Sequence, residues 1–146
     1  MIIEMPAYKT YREGKEIYSI DMMLAYTNLY TTREVTLKLY ELGPQLDELV
    51  WGKKSPRQVM ATKTGEDWDR IKHANLSYPI LTTEDGKIID GYHRVGRAMM
   101  EKHTTIKAYV IPDAMMKKCL LVDNGDVGEV QSWPVYKMIE LFVTEM

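Results

Sequence analysis

The sequence lacks several features that define whole classes of protein. It has one cysteine, Cys119, so no disulfide can form within the chain, and a reducing compartment such as the cytoplasm is expected. No apolar run approaches the ~20 residues that a membrane-spanning helix needs. The first residues also lack the basic-then-apolar pattern of a secretion signal. We therefore expect a cytoplasmic protein with no membrane partner.

An excess of charge of one sign is also missing. The formal net charge is −2, whereas surfaces that bind a nucleic-acid backbone are usually basic. A dedicated nucleic-acid binder is therefore not favoured, although a local basic patch would still allow such binding. The three histidines are scattered at positions 73, 93 and 103 and match no zinc-ligand spacing, so no protein-bound metal is predicted.

What is present is the composition and apolar pattern of one ordinary domain. Hydrophobic residues make up 45% of the chain and charged residues 27%, which is enough for a core without disulfides. Residues 16–30 and 114–123 are compatible with either helix or strand. The clearer elements are a strand at 32–40, a short helix at 45–51, helices at 56–61 and 67–74, strands at 78–82 and 87–89, a helix at 92–102, a strand at 105–111 and a C-terminal helix at 135–144.

This order of elements predicts an α+β fold, with a small mixed β-sheet flanked by helices. The core domain is expected over residues 32–113. Residues 1–31 are expected to form an N-terminal arm or extension, and the first 15 of them show no clear period. Residues 114–146 are expected to form a C-terminal extension that carries the last helix.

The start of the helix at 92 combines the features of a phosphate site. Two strands joined by the tight turn 84–86 lead into Gly91, and His93 and Arg94 follow in the first helical turn. N–H groups at a helix start have no partner inside the helix, and the helix dipole makes this end positive. A histidine and an arginine added there favour the binding of a phosphate group.

Each residue of this motif also has a structural interpretation. Gly91 either lets the backbone approach a phosphate or serves a turn that needs a positive φ. His93 either donates a hydrogen bond to a phosphate or acts as an acid, or else it is a capping or partly buried histidine. Arg94 either grips a phosphate or forms an ion pair with Asp90 or Glu101. Asp90 either holds a Mg²⁺ ion, orients Arg94 or caps the helix.

A second helix start lies at Ser55, where a capping hydroxyl precedes a proline in the first helical position. Arg57 either reaches a second phosphate from there or remains a solvated arginine. Tyr78 and Trp68 either stack on a base or pack in the core. Asp47 and Glu48 are candidates for a general base, because their predicted helix borders the same region.

The segment DGYHRVGRA, from Asp90 to Ala98, resembles the phosphate-binding motif of the ParB/sulfiredoxin superfamily. In that superfamily a strand ends in Gly-x-His-Arg or Gly-Glu-Arg-Arg and is followed by a helix with a small residue about one turn on. The wider stretch from Ser55 to Asp113 looks like small ParB-like nuclease-domain proteins. Tyr92 stands where sulfiredoxin has its catalytic cysteine, so sulfiredoxin activity is not expected. Residues 114–146 are too few for the DNA-binding and dimerisation domains of a full partition protein.

The resemblance implies a nucleotide site that binds ATP, ADP or CTP with Mg²⁺. ParB proteins hydrolyse CTP, sulfiredoxin uses ATP, a free-serine kinase of the superfamily uses ADP, and some members are described as nucleases. The residues implied in catalysis are His93, Arg94 and Asp90. Those implied in phosphate or nucleotide binding are Gly91, Tyr92, His93, Arg94, Arg57 and Ser55.

The sequence thus predicts a nucleotide-binding protein that hydrolyses or transfers a phosphate, as a nucleoside triphosphatase or a phosphotransferase. Two alternatives stay open. One is an adaptor module that binds nucleotide or nucleic acid without catalysis and docks a protein partner through its methionine-rich and C-terminal apolar faces. The other is a DNA nuclease, which the acidic charge disfavours.

Overall fold

A computed structural model describes residues 9–29 and 34–122 of the protein. The chain divides into two compact units, of which the first comprises Met1–Thr32 and Ile111–Met146 and the second Arg33–Val110. The segments expected to form an arm and a C-terminal extension therefore contribute to one unit. The helix predicted at 135–144 lies outside the described residues.

The described chain contains six α-helices, one 3₁₀ helix and seven strands. The helices are α1 Ile20–Leu29, α2 Leu39–Leu42, α3 Pro56–Thr62, α4 Glu66–Lys72, α5 Tyr92–Met100 and α6 Asp113–Lys118, and a 3₁₀ helix covers Gly43–Asp47. The strands are β1 Thr10–Glu13, β2 Glu16–Ser19, β3 Glu34–Lys38, β4 Ile80–Thr83, β5 Ile88–Asp90, β6 Thr105–Ile111 and β7 Leu120–Val122. No helix among the described residues is both long and apolar enough to cross a membrane.

The first unit contains a three-stranded antiparallel sheet in the order β1-β2-β7. Residues 16–30, compatible with helix or strand, contain both, because β2 leads directly into α1. The Ser19 hydroxyl accepts a hydrogen bond from the Met22 N–H at 3.1 Å and so caps the first turn of α1. Cys119 is fully buried in this unit, and burial raises the pKa of its thiol to about 12.

The second unit contains a four-stranded sheet in the order β3-β6-β4-β5. β3 pairs antiparallel with β6, and β4 pairs antiparallel with β5. Two sheets and six helices among the described residues confirm the α+β class. The core of this unit is formed by Leu39, Leu42, Leu46, Ile80, Ile88, Val95, Ala98, Ile106 and Ala108.

Local signals set the elements around the predicted site. Ser55 caps α3 as expected, because its hydroxyl accepts from the Gln58 N–H at 3.2 Å and its own N–H donates to the Gln58 side chain at 2.9 Å. In α5, Gly96 lies against Ile71 of α4, and a Cβ at this position would be only 3.4 Å from the isoleucine side chain. This contact packs α4 closely against α5.

The helix predicted at 45–51 is wrong. The chain forms the 3₁₀ helix Gly43–Asp47, and then a tight turn at 51–54, in which Gly52 has a φ of +75°. A tertiary contact accompanies this geometry. The Gln45 side-chain amide donates to the Gly86 carbonyl at 2.7 Å and accepts from the Ile88 N–H at 2.8 Å. Gln45 therefore pairs with the β4–β5 hairpin.

Candidate functional site

Gly91 follows β5 directly and is the N-cap of α5. Its φ is +120°, and a Cβ there would lie 2.8 Å from the Ile80 Cβ and closer still to its Cγ2. Only glycine fits both the backbone angle and the space. The N–H groups of a first helical turn have no partner inside the helix, and Gly91 provides no side-chain cap for those of α5.

His93, in that first turn, is held by two side chains from distant segments. Its Nε2 lies 2.9 Å from an Asp67 carboxylate oxygen, and its ring stacks on the Trp51 indole with 4.5 Å between centroids and 12° between planes. Asp67 belongs to the first turn of α4, and Trp51 begins the turn 51–54. The N-terminal turns of two helices and a basic loop therefore meet at this imidazole.

Asp67 and Trp51 were not predicted from the sequence. Asp67 lies 26 residues from His93 along the chain, and in the sequence it reads as part of a solvated acidic face with Asp69. Trp51 reads as the end of a short helix. Neither position carries a spacing signal, because these contacts form only when separate helices pack.

Arg94 faces other partners. Its Nη1 donates to the Tyr78 carbonyl at 3.2 Å and to the Pro79 carbonyl at 2.6 Å, and its Nη2 donates to Asp90 at 3.1 Å. Its side chain is 18% exposed. The guanidinium therefore fastens the segment before β4 to α5, and Asp90 orients Arg94. Asp90 is not the helix cap, since Gly91 occupies that position.

Arg97 has a similar role one turn later. Its Nη1 donates to the Ala74 carbonyl at 2.7 Å, and its Nε donates to Glu101 at 3.0 Å. Arg94 and Arg97 together hold the loop between α4 and β4 against α5. The cationic side chains of the motif are thus committed to backbone carbonyls and carboxylates of this unit.

Ser55 and Arg57 lie at the start of α3 and have partners of their own. The Ser55 side chain is occupied as the α3 cap, and the residue is 4% exposed. Arg57 bonds Asp47 at 2.7 Å and the Gly43 carbonyl at 2.8 Å. Gly43 lies beside Met99, which at ~1.5 Å per residue is about 9 Å along the helix axis from His93.

Tyr92 lies near Glu48, one of the two candidate general bases. Burial and the neighbouring Glu48 carboxylate raise the pKa of the Tyr92 phenol to about 12, so it stays protonated at neutral pH. Asp47 is the partner of Arg57. Tyr78 is 65% exposed, which leaves its ring free for stacking, whereas the Trp68 ring is partly buried and carries the Lys72 ammonium 5.9 Å from its centroid.

The residues around His93 do not build a magnesium site of their own. Asp67 and Asp90 each already accept a hydrogen bond from a neighbouring side chain. Within residues 9–29 and 34–122, no group of three or more histidine, cysteine or acidic side chains is arranged to hold a metal ion. Comparison of the chain with protein-family models, curated proteins and solved structures found no match.

Proposed function

We propose that the protein binds a nucleotide at the start of α5 and hydrolyses or transfers one of its phosphates. The observation that carries the proposal is the placement of His93. Its imidazole is ordered by Asp67 and Trp51 in the first turn of a helix whose N-terminal N–H groups lack helical partners. An oriented imidazole beside an anion site is suited to proton transfer during phosphoryl chemistry.

Two kinds of positive potential favour a phosphate at this place. The first is the positive end of α5. The second is the pair Lys53 and Lys54, which follow Trp51 in its turn and are exposed. Within the described part of the chain, neither lysine forms an ion pair, so both ammonium groups are available to phosphate oxygens.

Arg94 takes a supporting role in this proposal. Its guanidinium is bound to two carbonyls and to Asp90, so it keeps the loop before β4 in place. The exposed Tyr78 ring belongs to the same loop and offers a surface for a base. A magnesium ion that arrives with the nucleotide would be held mainly by its phosphates, and no step is assigned to it.

Calorimetric titration with ATP, ADP, CTP and GTP, each with and without Mg²⁺, tests the binding step. We expect at least one nucleotide to bind, and Lys53→Ala/Lys54→Ala to weaken it by about tenfold, which corresponds to ~1.4 kcal/mol. The matched control is Lys63→Ala/Lys107→Ala, which removes the same charge from exposed positions of the same unit. Equal losses in both double variants would contradict the proposed site.

Release of inorganic phosphate during prolonged incubation tests the chemical step. We expect slow release from the nucleotide that binds, and loss of this release in His93→Gln. Binding without any phosphate release or transfer would reduce the function to that of a nucleotide sensor or adaptor. Absence of binding by all four nucleotides would refute the proposal as a whole.

A further inference from the structure

The hydrogen bond between His93 and Asp67 determines where the imidazole proton lies. An ionised carboxylate can only accept hydrogen bonds, so the Nε2 that faces Asp67 at 2.9 Å carries the hydrogen. In a neutral imidazole the other nitrogen then bears a lone pair. The Nδ1 atom of His93 is therefore an acceptor of protons when the ring is neutral.

The orientation of the His93 ring is also restrained. The Trp51 indole lies nearly parallel to it, and Asp67 fixes its edge. The side chains of His93 and Asp67 are 27% and 30% exposed, so solvent reaches the pair although most of its surface is covered. Such a ring has a defined tautomer and a defined direction for its free nitrogen, which are the properties of a positioned general base.

We propose that His93 Nδ1 is the general base of the phosphoryl reaction and that Asp67 is its positioning residue. The inference rests on the proposed function. His93 takes a proton from the attacking water or acceptor hydroxyl, whose oxygen forms a bond to the terminal phosphorus. The bond from that phosphorus to the bridging oxygen breaks, and its electron pair leaves with the shortened nucleotide. The imidazolium, stabilised by the Asp67 carboxylate, then returns its proton to solvent.

The chain contains its own comparison for the tautomer. His73 Nδ1 lies 2.8 Å from the Asp69 carbonyl oxygen, and a carbonyl can only accept. His73 is therefore expected to carry its hydrogen on Nδ1, the opposite of His93. His103 has Nε2 3.1 Å from Glu101 and is expected to resemble His93, though at a more exposed position.

The charged groups around the ring bear on any pH profile. From α4 comes Asp67, and from the neighbouring turn come Lys53 and Lys54. On the β5–α5 side the Asp90–Arg94 ion pair lies next in the chain. Burial and the Glu48 carboxylate raise the pKa of Tyr92, the residue before His93. Only Asp67 among them is hydrogen-bonded to the imidazole, so replacing it changes the tautomer directly.

Nitrogen-15 NMR of the full chain with labelled histidines tests the positioning step without any substrate. His73→Gln and His93→Gln assign the signals. We expect His93 in the Nε2–H form and His73 in the Nδ1–H form. In Asp67→Asn, whose amide nitrogen can also donate, His93 is expected to become a mixture of tautomers. The matched control Asp69→Asn replaces an exposed carboxylate of the same helix and is expected to leave His93 unchanged.

Phosphate release against pH tests the base. We expect His93→Gln to lower kcat by about 10²–10⁴ and Asp67→Asn by about tenfold or more, with KM changed less than about twofold. Asp69→Asn is expected to keep the wild-type kcat. Far-UV circular dichroism and thermal unfolding of each variant show whether it is folded.

The outcomes separate this inference from the proposed function. An Nδ1–H tautomer at His93, or a tautomer unaffected by Asp67→Asn, overturns the positioning role even if nucleotide is hydrolysed. If both histidines show the expected tautomers but His93→Gln keeps full activity, His93 is not the general base. If the tautomers are as expected but the wild type neither releases nor transfers phosphate, the proposed function and the general-base role are both wrong. Asp67 then remains the residue that orders His93.

Discussion

Replacement of Gly91 by alanine is the sharpest test of how the β5–α5 junction is built. The new Cβ would lie 2.8 Å from the Ile80 Cβ and closer to its Cγ2, which real Cβ atoms do not tolerate. Ile80 is fully buried at the start of β4 and belongs to the core of the second unit. It cannot move aside without displacing its neighbours, because protein cores are close-packed.

Two separate costs add in this variant. A non-glycine residue at a positive φ costs about 1–2 kcal/mol, and forcing an extra methyl group into a packed core costs about 1–3 kcal/mol. We therefore expect Gly91→Ala to lower the free energy of unfolding by about 2–5 kcal/mol. The fold of the second unit and the start of α5 should both be affected.

Urea unfolding followed by circular dichroism measures this loss, with Gly86→Ala as the matched control. Gly86 also has a positive φ, +87°, but no atom lies within 4 Å of its virtual Cβ, so only the backbone cost applies. We expect the control to lose about 1–2 kcal/mol. Equal losses in the two variants would show that the close approach to Ile80 has no energetic importance and would refute the reasoning.

Three further predictions concern hydrogen bonds and ionisation. Gln45→Ala should cost about 1–3 kcal/mol in urea unfolding, because a hairpin N–H loses its partner, and Gln45→Glu, which keeps the acceptor, should cost less; equal costs would contradict this role. The Thr82 hydroxyl is buried without a partner among the described residues, so Thr82→Val should raise the unfolding free energy by about 1–2 kcal/mol, and a loss would point to an unseen partner. Burial raises the pKa of Cys119 from 9.0 to about 12, so the folded state binds its proton more tightly. This stabilisation is complete below about pH 9 and declines as pH rises toward 12; between pH 9 and 11 the urea midpoint should therefore fall more steeply in the wild type than in Cys119→Ala, and parallel curves would contradict it.

Elements with local signals were predicted closely from the sequence. The strand at 105–111 matches β6, and the Ser55-Pro56 start of α3 is confirmed with its capping hydrogen bonds. The strand is indicated by alternating apolar residues and the helix start by a capping residue. Both signals extend over only a few positions, so no distant contact is needed to form these elements.

Elements that depend on distant partners were predicted less well. The apolar spacing of residues 45–51 favoured a helix, but the chain forms a 3₁₀ helix and then a tight turn, and the Gln45 side chain pairs with a hairpin far along the sequence. Residues 16–30 contain a strand followed directly by a helix. Neither the two-residue period of a strand nor the ~3.6-residue period of a helix marks the boundary between them. Tertiary hydrogen bonds overrode a weak local preference here.

The sequence by itself determined that a glycine would turn β5 into α5 and that His93 and Arg94 would follow at the positive end of that helix. Only the tertiary structure decided what these two side chains bind. Arg94 took the carbonyls before β4, because a guanidinium donates to whichever acceptors packing brings near it. His93 took Asp67 and Trp51, which only the packing of α4 and the 51–54 turn against α5 brings within reach.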